Sequence, residues 1–385
     1  MKKIAIYILL FCIVFPISLF AKDGIGEITW IDGTADVYRD GEALDWWDVD
    51  IGLGINDYDL IETGKDSYVE IEVLTPGNQG TVVKISENTA FYFDLKEVGG
   101  ATKTTFQLLA GSLAMKVGKL TGSNAVEVNT ESAVMGVRGT EFDVFIGPEG
   151  SVLVTCEEGK VQVSQNDNKS SKMAQPGAVV RKDFGSDIRD LKIDTEDLEL
   201  YKAFWVKERD EVFKSGAKDF IKYYSAQYEK VLPKFLFAYE KLKGVKDTLI
   251  KYGSMQNASL GQMVLAKEEV SGPIFEMRSV FPFFEHVFYS VQTLEGYHDM
   301  GLGMGMISDS LSSTAFFSEF TGSKKLRKNQ LAEVRRYFKL YLAIDRASGG
   351  GMSSDLMEGI FQGGNPLDGG GIPSGNVPKS GFNKF

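Results

Sequence analysis

The strongest constraint on this fold is a run of apolar residues that repeats with alternating spacings of four and three over residues 217–252. A repeat of 3.5 residues places one apolar stripe along an α-helix, and 36 helical residues extend for about 54 Å. Pro233 lies inside this stretch and lacks a backbone N–H, so it should kink or split the helix. The members of this first seam are Ala217, Ile221, Tyr224, Tyr228, Val231, Phe235, Ala238, Leu242, Val245, Leu249 and Tyr252.

Two further seams follow the same spacing rule later in the chain. The second contains Pro282, which is expected to kink its helix. Antiparallel helices that pack along such seams form an elongated α-helical bundle or coiled-coil hairpin, and the seams could also join copies of the chain into a homo-oligomer. The residues are Ile274, Met277, Phe281, Phe284, Phe288 and Val291 in the second seam, and Leu331, Val334, Phe338 and Tyr341 in the third.

The chain before residue 185 follows a different period. Apolar and polar residues alternate there, which places one side of each strand on a core and the other side in water. Many short strands separated by Gly, Pro, Asn and Asp favour an antiparallel sandwich or a solenoid-like pair of sheets. Cys156 continues one alternating run and is predicted to face the core. The alternating runs are residues 69–73, 91–95, 126–128 and 152–156.

The first residues indicate export. Met1-Lys2-Lys3 is positively charged, the apolar run from Ile4 to Phe20 is interrupted by Pro16, and Ala21 is a small residue suited to cleavage. This pattern predicts a secretory signal peptide and a periplasmic, envelope or secreted location. The alternative is an uncleaved membrane anchor, although this run of 17 residues falls short of the roughly 20 that a spanning helix needs.

The predicted organisation is α+β by separate domains, with an all-β part first and a helical part second. The segment after the last seam is rich in glycine with few apolar residues, which is typical of a disordered tail. The predicted segments are a signal peptide at 1–21, an all-β domain at 22–185, an α-helical bundle at 195–347 and a Gly-rich disordered tail at 348–385.

Composition excludes several classes of function. After removal of the signal peptide the net charge is −13, which argues against nucleic acid and anionic lipid as primary partners. Cys156 is then the one cysteine, so no intrachain disulfide is expected. His286 and His298 are the only histidines, and their spacing fits neither a metal site nor a catalytic one. We therefore predict a non-enzymatic protein without metal or cofactor.

The run Gly136-Val137-Arg138-Gly139-Thr140-Glu141-Phe142 carries the most specific local pattern. Gly136 and Gly139 permit a tight turn or a close backbone approach. Arg138 presents five donors, and Glu141 lies three residues away. Two interpretations follow: Arg138 and Glu141 pair to pin a corner between strands, or Arg138 binds an anionic ligand or a partner's carboxylate. Phe142 should begin a strand with alternate side chains buried.

This run resembles the signature of the FecR-like domain, an extracytoplasmic all-β module, and the resemblance extends over roughly residues 24–183. It implies a β fold outside the cytoplasm and no particular ligand. The helical part resembles no family that we recognise. The other matching elements, in order, are Gly26-Glu27-Ile28, Gly33-Thr34-Ala35-Asp36-Val37, Asp59-Leu60-Ile61-Glu62-Thr63-Gly64, Leu108 to Leu113, Glu158-Gly159-Lys160-Val161 and Gln175-Pro176-Gly177.

The best-known members of that family hold a sigma factor through a cytoplasmic segment before a membrane span. Here only Met1-Lys2-Lys3 precedes the apolar run, and three residues are too few for a sigma-binding helix. The resemblance therefore implies a stand-alone exported protein that binds or scaffolds in the envelope.

Trp46 and Trp47 form the second candidate contact site. They lie within a group of aspartates whose spacing does not match the EF-hand calcium loop, so a solvated acidic loop is expected. Exposed indole rings stack on sugars or on partner surfaces, whereas buried ones fill a core. The aspartates are Asp45, Asp48, Asp50, Asp57 and Asp59.

Together these patterns predict an exported envelope protein that binds a protein partner or a cell-wall component, with the helices as a spacer or assembly module. Two alternatives remain at this stage: a membrane-anchored envelope sensor, and a cell-wall glycan hydrolase that uses two carboxylates.

Overall fold

The computed structural model describes residues 24–349, except 76–77, 79, 99–100, 119–124, 167–169 and 256. The predicted signal peptide and nearly all of the predicted Gly-rich tail lie outside the described residues. Strands occupy residues 26–192 and α-helices residues 198–347, so the predicted fold class is confirmed. Within the described ranges, no helix combines the length and apolar character that crossing a bilayer requires.

The described residues of the β part form two nine-stranded sheets. The first sheet is antiparallel throughout its described pairs and carries the amino-terminal strand near one edge. Its strands, in spatial order, are β18 (Arg189–Lys192), β17 (Ala178–Lys182), β14 (Val152–Glu158), β13 (Glu141–Ile146), β10 (Ser112–Lys116), β7 (Thr81–Ile85), β6 (Tyr68–Val73), β1 (Gly26–Asp32) and β4 (Gly54–Ile55).

The second sheet is antiparallel except where β9 and β11 run parallel. Because parallel neighbours need a crossover between them, local alternation could not have indicated this pair. Its strands, in spatial order, are β16 (Ser171–Ala174), β15 (Val161–Gln165), β12 (Ala133–Val137), β11 (Ala125–Asn129), β9 (Ala101–Ala110), β8 (Ala90–Val98), β5 (Leu60–Thr63), β2 (Ala35–Arg39) and β3 (Glu42–Ala43).

The two sheets enclose one apolar core built from the alternating positions. Val69, Ile71 and Val73 of β6 are buried while the residues between them are not, as the period of two predicts. Cys156 is buried in this core as expected, and burial raises the pKa of its thiol to about 11. That shift keeps the thiol protonated and unreactive near neutral pH.

In the described residues, four α-helices follow the sheets. They are α1 (Leu198–Gly244), α2 (Lys246–Gly253), α3 (Leu260–Asp299) and α4 (Ser313–Ala347). Pro233 lies within α1 without splitting it, and the break between α1 and α2 falls at Val245 instead. Contacts of Lys241 with Glu276 and of Tyr297 with Asp210 show that α1 and α3 run antiparallel.

The three predicted seams form the helical core, with their members buried or half-buried in contacts within one chain. A homo-oligomer held through these seams, as predicted, would therefore require the bundle to open. The helical core also continues onto the outer face of the second sheet, where Tyr58, Leu60, Ala90, Tyr92 and Leu109 join it. The helices thus lie against the β part and bury apolar surface with it.

Candidate functional site

The signature run forms a corner at which the chain passes from one sheet to the other. Val137 ends β12 in the second sheet, and Glu141 begins β13 in the first. Val137, Thr140 and Phe142 are buried, so they anchor the corner in the core. Gly139 has a φ of +62°, a left-handed conformation that favours glycine.

The predicted ion pair within this corner is absent. The carboxylate of Glu141 accepts a hydrogen bond from Lys116 on the neighbouring strand β10, at 3.1 Å. Sheet pairing causes this, because Lys116 and Glu141 are direct partners across β10 and β13. Arg138 is exposed, and within the described part of the chain its guanidinium contacts no acidic group. The first interpretation of Arg138 is therefore wrong, and its role in binding stays a prediction.

The two glycines of the signature differ in what they permit. A Cβ added to Gly136 would meet nothing within 4 Å, so no close approach requires this glycine. The close approach belongs to Gly159, where a Cβ would lie 2.9 Å from the carbonyl oxygen of Gly139. The Glu158-Gly159 turn thus packs on the signature corner.

These observations predict different costs for neighbouring substitutions. Gly139→Ala should lower the free energy of unfolding by about 1–2 kcal/mol because alanine disfavours a positive φ. Gly136→Ala is the matched control and should be neutral or stabilising by up to about 1 kcal/mol. Arg138→Ala should change stability by less than about 0.5 kcal/mol. Denaturant unfolding of the three variants provides the measurement, and equal costs at both glycines would contradict the assigned conformations.

Trp46 and Trp47 are exposed on the loop between the edge strands β3 and β4. Their side chains are 78% and 60% exposed, and they are the first two residues of a 3₁₀ turn. The ring centroids are 5.7 Å apart and the planes meet at 77°, an edge-to-face pair. Such exposed rings do not fill the core, which was one of the two roles considered for the tryptophans. They lie instead where a partner could contact them.

The tryptophan loop, which we define as residues 44–53, is held in place by its backbone and one anchor. Val49 is buried in the core between the sheets. The N–H of Gly52 donates to the carbonyl of Ile28 at 2.8 Å, and that of Leu44 donates to Val37 at 2.8 Å. The indole pair therefore stands on a supported loop, and little conformational entropy would be lost when a partner binds.

The predicted aspartate group divides into two sets. Asp45, Asp48 and Asp50 are exposed on the tryptophan loop. Asp59 is buried, where it accepts hydrogen bonds from Arg39 Nε at 2.9 Å and the Asn56 N–H at 2.8 Å. Asp57 accepts from the Leu95 N–H at 2.8 Å, and burial raises the pKa of its carboxyl well above the usual range. Asp57 and Asp59 therefore serve the fold as hydrogen-bond acceptors and do not belong to a calcium loop.

A polar cluster joins the second sheet to the helices. The Tyr92 hydroxyl on β8 donates to Glu285 of α3 at 3.0 Å, and Arg335 of α4 forms an ion pair with the same carboxylate. Nearby, Glu62 of β5 accepts from the Tyr289 hydroxyl at 2.7 Å. Burial raises the pKa of Glu285 to about 7, against the opposing effect of Arg335. No local pattern in the sequence indicates the contacts between the sheet and the helices, because the paired residues are more than 190 positions apart in the chain.

A small cavity of about 20 Å³ lies beside this cluster, lined by residues that include Asp94, Glu285 and His286. Its volume suits about one water molecule and cannot admit a sugar ring, so these carboxylates do not support glycan hydrolysis. His286 is buried there, and burial lowers its pKa to about 4. His298 contacts the Ser313 hydroxyl at 3.2 Å. Among the described residues, no group of three or more His, Cys, Asp or Glu side chains is arranged to hold a metal.

Comparison with known proteins identifies one part of the chain. A family model described as FecR protein matches residues 59–162. Two crystal structures of a "putative anti-sigma factor" from Parabacteroides distasonis ATCC 8503 share 19% and 20% identity with the chain, with TM-scores of 0.31 and 0.30. The matches cover 37% and 36% of this chain and 63% and 62% of those proteins, so the chain spans less than two thirds of their length.

No curated protein matches the chain. At these identities and TM-scores, the two crystal structures add no argument about function. The family match covers the signature corner and the strands around it. The β part therefore carries a FecR domain at residues 59–162, the family that the signature resemblance predicted.

Proposed function

We propose that this chain is a non-enzymatic, exported envelope protein whose β part binds a partner protein or a cell-wall component through the tryptophan loop. The observation that carries the proposal is the exposed pair Trp46 and Trp47 on a supported loop. Tryptophan is enriched among residues that dominate binding energy, and exposing two adjacent indoles has no benefit for folding. The loop lies just before the segment that matches the family model, at the edge of both sheets.

Arg138 supplies a second, separate candidate surface. Six strand spacings separate β12 from β3 in the second sheet, or about 29 Å at 4.8 Å per strand. A single small ligand therefore does not touch both places, and their substitutions report on different contacts. An exposed guanidinium without an acidic partner among the described residues suits an anionic group of a partner.

The helical part supports a role in assembly more than a role as a spacer. Helices α3 and α4 pack against the second sheet, so they do not hold the β part at a distance. Several large apolar side chains remain exposed around the α2–α3 connection, where another protein could cover them. They are Ile250, Met255, Leu260, Val264 and Leu265.

The binding proposal predicts a specific loss of capture. In cells cross-linked before lysis, Trp46→Ala/Trp47→Ala should reduce recovery of the specific envelope partner at least about tenfold, since binding hot spots typically contribute 2 kcal/mol or more. Trp30→Ala is the matched control, because Trp30 is 55% exposed on β1 outside the loop. Arg138→Ala tests the second surface in the same experiment. Unchanged capture by the folded double variant would refute binding through this loop.

A membrane-anchored envelope sensor is the second candidate, and one observation favours it. The Ile25 N–H donates to the Ile55 carbonyl at 2.7 Å, so the start of the described chain lies beside the strand that follows the tryptophan loop. A retained apolar run would keep this edge of the sandwich close to the membrane. Intact mass of the protein from cells distinguishes the two: a mature chain that begins at Lys22 excludes the anchored form.

A further inference from the structure

The chemistry around the tryptophan loop identifies a class of binding partner. Indole rings carry negative charge on their faces, and tryptophan is the side chain that binds cations best in this way. In the edge-to-face pair, the edge of one ring covers one face of the other, and the remaining faces stay open to solvent. Two nearly perpendicular rings thus form two walls of a corner that suits a compact cationic head.

Three carboxylates stand on the same loop and strengthen its negative potential. Asp45 directly precedes Trp46, Asp48 directly follows Trp47, and Asp50 lies two residues further on. All three are exposed, and one Asp50 oxygen accepts the Ile51 N–H at 2.7 Å. In the described part of the chain, no basic group forms an ion pair with these carboxylates.

The two rings also differ from other aromatic groups in this fold. Elsewhere, Lys241 lies 4.2 Å from the ring centroid of Phe237 and Arg278 lies 4.8 Å from that of Phe338. Among the described residues no such cation covers Trp46 or Trp47. The loop therefore combines open indole faces with uncompensated negative charge, and the complementary group is positive.

We propose that the tryptophan loop binds a lysine or arginine side chain of a partner protein, with the indole faces covering its apolar stem and head and the three aspartates balancing its charge. This inference rests on the proposed function, because it assigns the partner chemistry of the same loop. A phosphate-rich lipid surface or an anionic glycan would be repelled by the aspartates. A neutral sugar could stack on one ring but would leave the three charges uncompensated.

The inference can be tested with defined peptides rather than with an unknown partner. The chain has four tryptophans, all in the described part, and Trp→Phe substitutions assign their indole N–H signals by NMR. A hexapeptide with two arginines and two leucines is titrated into the full chain. The matched probe replaces both arginines with citrulline, which keeps the shape and removes the charge. We expect saturable shifts at Trp46 and Trp47 but not at the buried Trp205, with binding at least about fivefold tighter for the arginine peptide.

Variants separate this inference from the proposed function. Asp45→Asn, Asp48→Asn and Asp50→Asn together keep the size of each side chain and should remove the preference for the arginine peptide, while the thermal unfolding temperature stays unchanged. Equal binding of the arginine and citrulline peptides overturns the cation inference and leaves an apolar docking loop. No shift with either peptide at millimolar concentration, or shifts with a soluble peptidoglycan fragment instead, also overturns it. The capture experiment with Trp46→Ala/Trp47→Ala remains the independent test of docking itself.

Discussion

Arg335→Met should lower the free energy of unfolding by about 1–3 kcal/mol at neutral pH, because it removes the cation that faces the buried Glu285 carboxyl and leaves that carboxyl to take up a proton. Arg335 and Glu285 are 2% and 1% exposed, so solvent cannot replace the lost charge. Arg335 also lies 5.5 Å from the ring centroid of Tyr92, whose hydroxyl donates to the same carboxylate. One substitution therefore disturbs the contact between β8, α3 and α4.

The matched control is an exposed ion pair between helices. Lys241 and Glu276 are 2.8 Å apart and both partly exposed, so Lys241→Met should cost no more than about 1 kcal/mol. The double variant Arg335→Met/Glu285→Leu should recover much of the loss, since an apolar pair removes the unpaired buried carboxyl. Guanidinium unfolding measures all four proteins. A cost below about 1 kcal/mol for Arg335→Met alone would show that the pair does not hold the sheet to the helices.

Local spacing predicted the elements of this fold well and their arrangement poorly. The seam from Ala217 to Leu242 is buried because a 3.5-residue repeat is a local property of a helix. Pro233 does not split its helix, since α1 continues through it. The parallel pairing of β9 with β11 and the covering of β8 by the helices depend on contacts between distant segments, which no local period encodes.

The candidate sites illustrate the same limit at single residues. Spacing of three residues suggested that Arg138 would reach Glu141, but the sheet pairs Glu141 with Lys116, 25 positions earlier in the chain. Composition grouped five aspartates, whereas burial assigns Asp57 and Asp59 to the fold and leaves the other three in solvent. Trp46 and Trp47 were recognisable as candidates, yet sequence could not decide between an exposed and a buried pair.

Two adjacent residues should make opposing contributions to the pH dependence of stability. Burial raises the pKa of Glu285 from 4.5 to about 7, with Arg335 and Tyr92 facing the carboxyl and opposing the shift. The folded protein then holds this proton more tightly than the unfolded chain, so the stability from Glu285 falls as pH rises from 4.5 to 7. Burial lowers the pKa of His286 from 6.5 to about 4. Its contribution is lost as pH falls from 6.5 to 4, because the unfolded chain takes up the proton first.

The two shifts are similar in size and opposite in direction, so in the unaltered protein the two slopes largely cancel between pH 4.5 and 6.5. Single substitutions should expose them with opposite signs. Relative to the unaltered protein, Glu285→Gln should lose more stability at pH 4.5 than at pH 7, and His286→Leu should lose more at pH 7 than at pH 4.5. Guanidinium unfolding at four pH values across this range measures both differences. Subtracting the free energy of unfolding of the unaltered protein at the same pH removes the contributions of all other groups. Parallel curves for the three proteins would mean that neither group changes its proton affinity on folding, and the polar cluster at the interface would then be electrostatically neutral in its effect on stability.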